Sequence, residues 1–260
     1  MDLTYADYLE VEDLLRLQKP RSEPEEHDEL LFIVVHQAYE LWFKLLLHEL
    51  EKVKADLVAG RTYPAISTFK RLRTIMKVAV EQVDIVETLT PMSFNSFRDR
   101  LDKASGFQSS QFREFEFLLG YKRPEMMNHH KEGTPAYERL MKRLTEPSVV
   151  DAFYLFLKRH GVPVPDHLMT RGRVSPTQPD EQVEEGVLRL YKGQPDLEIL
   201  FELMTDFDEG LQEWRYRHIK LVERTIGSKR GTGGSLGVEF LKRSLWQPVF
   251  PDLWAIRHRL

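Results

Sequence analysis

Apolar residues recur along this chain at steps of three and four, and no run alternates convincingly at a step of two. That is the helical period, and it predicts an all-α fold. Residues 28 to 58 read as one long helix that is apolar nearly all round, through Leu30, Phe32, Ile33, Val35, Tyr39, Trp42, Phe43, Leu46 and Leu50. A helix with no polar face belongs inside a bundle or an oligomer. Asp28 is placed to cap its start, and Gly60 follows its end. A second helix is predicted over 64 to 88, with Phe69, Leu72, Met76, Ala79 and Val83 on one stripe and Ile75 beside it. Thr90-Pro91-Met92-Ser93 punctuates it, and shorter helices follow at about 93–101 and 109–119. Residues 122–134 read as a connection and 135–160 as two amphipathic helices divided near Pro147. Four prolines make 161–179 an irregular loop. Helices resume at about 180–193 and 196–226, with a last pair at 235–245 and 251–257.

Composition narrows the class. The 260 residues are 42% hydrophobic and 30% charged, enough for one large core and one domain. The net charge is −4 with Lys and Arg scattered, which lacks the footprint of a nucleic-acid binder. The absence of cysteine excludes disulfides, iron–sulfur clusters and thiolate-bound haem or zinc. The longest unbroken apolar block, Leu30 to Val35, is too short to cross a bilayer, and Met1-Asp-Leu-Thr-Tyr5 shows no secretory pattern. A soluble cytoplasmic protein without membrane or nucleic-acid partners is expected.

Candidate chemistry concentrates on two helices. Phe207, Leu211, Trp214, His218, Leu221 and Thr225 share one stripe of the 196–226 helix, which runs to Gly227 and then into Lys229-Arg-Gly-Thr-Gly-Gly234. His218 is either a satisfied core histidine or a metal ligand. In a chain without cysteine, a lone histidine ligand suits haem iron. His36 shares its face with Phe32 and Glu40, each one turn away. It reads as a core histidine bonded to Glu40, or as an acid/base or hydrogen-bond partner in an apolar pocket. Phe94 and Arg98, also one turn apart, can hold a planar apolar group and clamp a carboxylate. The segment Gly233-Gly-Ser-Leu-Gly237 matches a hydrolase nucleophile pattern only by letter, since no strand precedes it. Its neighbour Thr232 better suits a loop that meets a ligand, with the hydroxyl as a hydrogen-bonding group. Adjacent His129 and His130 would diverge on a helix, and read as surface residues.

Taken together, seven blocks in order resemble the tryptophan 2,3-dioxygenase family. They are Leu3-Thr-Tyr-Ala-Asp-Tyr-Leu9, His27-Asp-Glu-Leu-Leu-Phe-Ile33, His36-Gln-Ala-Tyr-Glu-Leu-Trp-Phe-Lys44, Phe94-Asn-Ser-Phe-Arg98, Ala104-Ser-Gly-Phe-Gln-Ser109, Trp214-Arg-Tyr-Arg-His218 and Lys229-Arg-Gly-Thr-Gly-Gly234. Residues 122–200 match much less. The resemblance implies a homotetrameric all-helical haem b enzyme, active as Fe2+. It would insert both atoms of O2 across the C2–C3 bond of L-tryptophan to give N-formylkynurenine, opening the kynurenine pathway. By position it makes His218 the proximal iron ligand with Trp214 beside it at the haem, and puts His36 on the distal side near the indole N–H. It gives Arg98 the substrate carboxylate, and Thr232 the ammonium group together with a haem propionate. Phe32 and Phe94 would pack on the indole, with Ser105 and Gly106 over the haem. Tyr5 and Tyr8, in an N-terminal segment 1–20, would reach a neighbouring subunit's pocket.

Three departures from the family pattern stand out. Lys103 replaces a usual proline, Phe94 stands where some members have tyrosine, and the chain is short, with 161–179 in place of a longer helical insert. Two other readings follow from the same residues. One is a relative oxygenating a substituted tryptophan or indole, with one oxygen atom retained in an oxindole. The other is a non-catalytic haem sensor, which would need His218 but not Arg98, Thr232 and His36 together.

Overall fold

The computed structural model describes residues 2–102, 104–170, 177–227, 229 and 238–260. Every regular element among them is helical. Two short helices, α1 (Tyr5–Leu9) and α2 (Val11–Leu14), lead to α3 (His27–Val58), α4 (Thr62–Glu87), α5 (Pro91–Arg98) and α6 (Ser110–Leu119). After these come α7 (Pro135–Thr145), α8 (Val149–Arg159), α9 (Asp166–Thr170) and α10 (Glu181–Gly193). The chain closes with α11 (Pro195–Ile226), α12 (Val238–Lys242) and α13 (Pro251–Ala255). Short 3-10 turns fall at Asp99–Leu101, Gly106–Gln108, Pro124–His129 and Ile256–Arg259. The expected connection at 122–134 therefore contains one of these turns, and the 161–179 loop contains α9.

The bundle is built on α3, α4 and α11. Helix α4 packs along α11 on one side and α3 on the other, and α8 and α6 close over α3. All five residues of the α4 stripe, Phe69 through Val83, are buried. Phe69 meets Phe207 and Phe250 edge-on, with ring centroids 6.1 Å apart in each pair. Fully burying such a side chain contributes about 1.5–3 kcal/mol relative to leaving it exposed.

Two expectations for α3 change. Asp28 does not cap it, because the helix begins at His27 with Glu26 at the capping position and no side-chain cap bond. Glu29, in the first turn, is buried and accepts from the backbone N–H groups of Arg21 (2.7 Å) and Ser22 (2.9 Å), which ties the incoming chain to that end of the helix. Nor is α3 buried all round. Its second half, through Leu46, Leu50, Val53 and Leu57, lies in the core, while Leu30, Val34 and Leu41 are exposed. As a whole helix, α3 is long and apolar enough to cross a membrane by length and composition alone. Here its apolar positions divide among the core, an internal cavity and an open flank.

Candidate active site

A cavity of about 660 Å³ opens between the first half of α3, α5, the start of α6 and the last turns of α11. That volume lies in the range of small-molecule and cofactor sites, roughly 300–1,000 Å³. Its wall combines aromatic rings with a few charged groups, among them Phe32, His36, Phe94, Arg98, Ser105, Gly106, Trp214 and His218. Residues as far apart in the chain as Leu14 and Ser244, 230 positions (244 − 14), are thus brought to one place.

His218 enters from α11, one turn beyond Trp214, and the two rings stack with centroids 5.1 Å apart and planes 7° apart. Neither ring nitrogen has a hydrogen-bond partner among the described residues. Burial pushes the His218 pKa down to about 4, and His36 across the cavity adds to that shift. The ring is therefore neutral at pH 7, with a lone pair free for a metal. No group of three or more His, Asp or Glu side chains that could hold a metal ion occurs among the described residues. A metal at His218 would have to bring most of its ligands with it, as a macrocycle does.

His36 is set differently. Its Nδ1 lies 2.7 Å from the Phe32 carbonyl oxygen. A carbonyl only accepts, so Nδ1 carries the proton and Nε2 keeps its lone pair. The expected Glu40 partner does not bond to it. Glu40 instead accepts from Ser109 Oγ (2.5 Å) and Gln111 Nε2 (2.9 Å), fastening α3 to the start of α6. The intrahelical carbonyl one turn back is always present, whereas the pairing with α6 arises only in the fold. His36 is open to the cavity, yet its surroundings exclude enough water to lower its pKa. The Phe32 carbonyl and Glu40 act in the opposite sense without overcoming that effect.

The aromatic wall above His36 is continuous. Phe32 stands 4.0 Å from His36 and 5.7 Å from both Phe94 and Phe97, centroid to centroid. Helix α5 is fixed for this purpose by Thr90, whose hydroxyl accepts from Ser93 N (3.1 Å), and by Pro91 in the first turn. Arg98 ends α5, half-buried at the cavity wall. Ser105 caps the Gly106–Gln108 turn, with Gln108 bonding back to its backbone N–H, and the space beside Gly106 is open. Helix α11 stops where Gly227 adopts φ +59°, ψ −131°, a conformation glycine tolerates best.

Not every expected residue joins this site. Tyr5 and Tyr8 sit on α1, are 78% and 72% exposed, and do not line the cavity of their own chain. Thr232 and Lys103 lie outside the described residues. His129 is exposed and stacks on Phe107, while His130 is half-buried with its Nε2 lacking a partner, so only the first is a surface residue. Sequence reasoning also missed a charged part of the wall: Arg113, Glu116, Arg123 and Arg215. A signal existed for two of them, since Arg113 and Glu116 interrupt an otherwise phenylalanine-rich helix at the spacing of an ion pair.

Fold and site together define a protein whose described residues are helical and turn segments around a mainly apolar cavity, where a neutral histidine with a free lone pair shares the wall with a second histidine and with Arg98. The family model described as tryptophan 2,3-dioxygenase matches residues 1–162 and 177–260. A protein of Herpetosiphon aurantiacus named tryptophan 2,3-dioxygenase is 50% identical over 98% of this chain and 97% of its own length. Relatives of the same name from Anaeromyxobacter sp. (strain K) and Bacillus thuringiensis (strain Al Hakam) are 47% and 41% identical, over 99% and 100% of this chain and 96% and 93% of theirs. The chain belongs to the tryptophan 2,3-dioxygenase family.

Proposed function

We propose that this protein is a haem-dependent dioxygenase that inserts both atoms of O2 across the C2–C3 bond of L-tryptophan, giving N-formylkynurenine. The observation that carries the reading is one cavity in which His218, His36, Phe32, Phe94 and Arg98 converge from three helices. The residues fit haem: His218 offers a neutral nitrogen with no competing partner among the described residues, and the surrounding wall is largely apolar. His218 would hold the iron with Trp214 stacked against it, and Ser105 and Gly106 would border the macrocycle. Haem supplies the binding and activation of O2 when bound.

The chain's own residues supply position. Arg98 binds the substrate carboxylate through two parallel hydrogen bonds, which fixes both location and orientation. Phe32 and Phe94 enclose the indole ring. The His36 Nε2 lone pair accepts the indole N–H, because Nδ1 is already committed to the Phe32 carbonyl. His36 thus orients the ring as a neutral acceptor. Thr232 would take the substrate ammonium group.

The site is completed by assembly. The N-terminal segment exposes Leu3, Tyr5, Tyr8, Leu9, Leu14, Leu15 and Leu17, and α3 exposes Leu30, Val34 and Leu41. Apolar surface of this extent supports burial in a homotetramer, with Tyr5 and Tyr8 entering a neighbouring cavity.

The test is to load the protein with haem, reduce the iron, and weigh the product formed from L-tryptophan under labelled O2. Two labelled atoms in N-formylkynurenine are expected; one labelled atom in an oxindole would defeat the dioxygenase reading. The variant R98A should retain the haem spectrum while its KM for L-tryptophan rises about 10- to 100-fold, the loss expected for charge-assisted hydrogen bonds. An unchanged KM would remove Arg98 from substrate binding, whereas a normal haem spectrum with no product from the wild type would point to a haem sensor.

A further inference from the structure

The charged wall of the cavity is out of balance. Arg113, Glu116 and Arg215 are only 3%, 2% and 5% exposed, and Arg123, from the connection after α6, is largely enclosed. Glu116 Oε2 accepts from Arg123 Nη2 at 2.8 Å and also from Arg113 Nη1. Arg215 Nη1 donates to the carbonyls of Ser244 (3.1 Å) and Gln247 (2.9 Å). The Arg123 and Arg215 guanidiniums also lie 4.5 and 5.6 Å from the Tyr121 ring centroid. Carbonyl dipoles and a ring face soften these charges but do not neutralise them.

Asp208 is the other buried carboxylate near Arg215. Its Oδ2 already accepts the backbone N–H groups of Val249 (2.8 Å) and Phe250 (3.0 Å) and the Trp254 indole N–H (3.0 Å). Three buried or nearly buried guanidiniums therefore share two buried carboxylates, an excess of one positive charge (3 − 2). The Nε–H groups of Arg113, Arg123 and Arg215 are all buried without an acceptor. Burying an unpaired donor on a cation is among the costliest arrangements a protein interior holds. All three arginines line the same cavity as His218, and Arg215 stands next to Trp214 on α11.

We propose that Arg113, Arg123 and Arg215 receive one carboxylate of the cofactor, a haem propionate; the assignment rests on the haem reading above. One carboxylate brings one negative charge against the single excess positive charge. Its lone pairs match guanidinium geometry, which favours paired hydrogen bonds to a planar anion. Arg98, on α5, is left to the substrate carboxylate. The site therefore holds two anion-binding stations with separate duties, one for cofactor and one for substrate.

The experiment compares ferric haem with haem dimethyl ester, whose propionates carry no charge, by titrating each into the full-length apoprotein and following the Soret band. Wild type should bind haem about 10- to 100-fold more tightly than the ester. In R113M that preference should fall by about tenfold, and R113K should restore most of it. Equal dissociation constants for haem and ester in wild type would overturn the proposal, and that comparison needs no variant to fold. An undiminished preference in R113M would overturn it too, and a raised KM for L-tryptophan in that variant would assign the cluster to the substrate instead. If haem itself fails to bind wild type, the cofactor reading falls and this site falls with it.

Discussion

His36 and His218 are the same side chain placed in two kinds of environment, and the difference assigns their roles. His218 has no hydrogen-bond partner among the described residues, so its neutral ring is free to ligate. His36 is anchored through Nδ1 to the Phe32 carbonyl, so it presents a single acceptor in a fixed direction. Burial lowers the His36 pKa below its ordinary value. The acceptor form therefore persists as pH falls through 6.5, and is lost only at more acid pH, where protonation turns Nε2 into a donor. Accordingly, kcat/KM for L-tryptophan in the haem-loaded enzyme should stay level from pH 8 to about 6.5 and decline below it. A limb centred above pH 7 that disappears in H36Q would contradict this assignment.

At the scale of elements, the site depends on how closely helices approach. Glu40 fastens α3 to the start of α6 through Ser109 and Gln111, and Arg217 of α11 bonds Glu87 of α4 at 3.1 Å. A close approach also lies away from the cavity, between α10 and the connection that follows α8. A Cβ built on Gly186 of α10 would come within 2.3 Å of Val162 Cγ1 and 2.8 Å of its Cγ2. Val162 is itself buried, so it has little room to retreat. The variant G186A should lose about 1–3 kcal/mol of stability through overpacking, despite alanine's better helix propensity. Thermal denaturation should show a Tm lower by several degrees; an unchanged or raised Tm would mean that α10 slides at no cost.

For the whole molecule, two buried carboxylates hold the C-terminal segment against the bundle. Asp208 anchors 249–254 to α11, and Asp252 accepts from Tyr154 Oη (3.0 Å) of α8 and the Asp180 N–H (2.9 Å). Burial raises the Asp252 pKa to about 6, against 3.8 ordinarily, and Glu184 and Asp180 push in the same direction. Between pH 4 and 6 the native state thus binds more protons than the unfolded state, so this group adds stability as pH falls through 6. Above pH 6 its ionisation opposes folding by about 3 kcal/mol. Urea denaturation of wild type and D252N should therefore differ in D252N's favour at pH 7, with the gap closing by pH 4. A gap independent of pH would disprove the assignment. Assembly offers a second test at this scale. Tyr8 is largely exposed and makes no side-chain hydrogen bond among the described residues, so Y8A should leave the fold intact yet raise KM for L-tryptophan if it enters a neighbour's cavity; an unchanged KM would remove it from the site.

The local pattern already carried much of this. The three- and four-residue steps located α3, α4, α8 and α11 within a few residues, because a helix's buried stripe is written in consecutive turns. Phe94 and Arg98, or Trp214 and His218, were legible as pairs for the same reason: one turn of helix relates them. Short elements such as α1 and α9 were not legible, having too few turns to show a period. What only the tertiary structure decided was which side chains meet across elements. His36 lost its expected Glu40 partner because α6 arrives to claim that carboxylate. The first half of α3 looks like core in sequence, yet it faces a cavity and an open flank, since hydrophobicity does not distinguish burial against protein from burial against a ligand or a second subunit. The arginine cluster was hidden most completely, because Arg113, Arg123 and Arg215 reach one wall only when α6, its following connection and α11 pack together. Periodicity records the face a residue occupies, and only packing determines what that face meets.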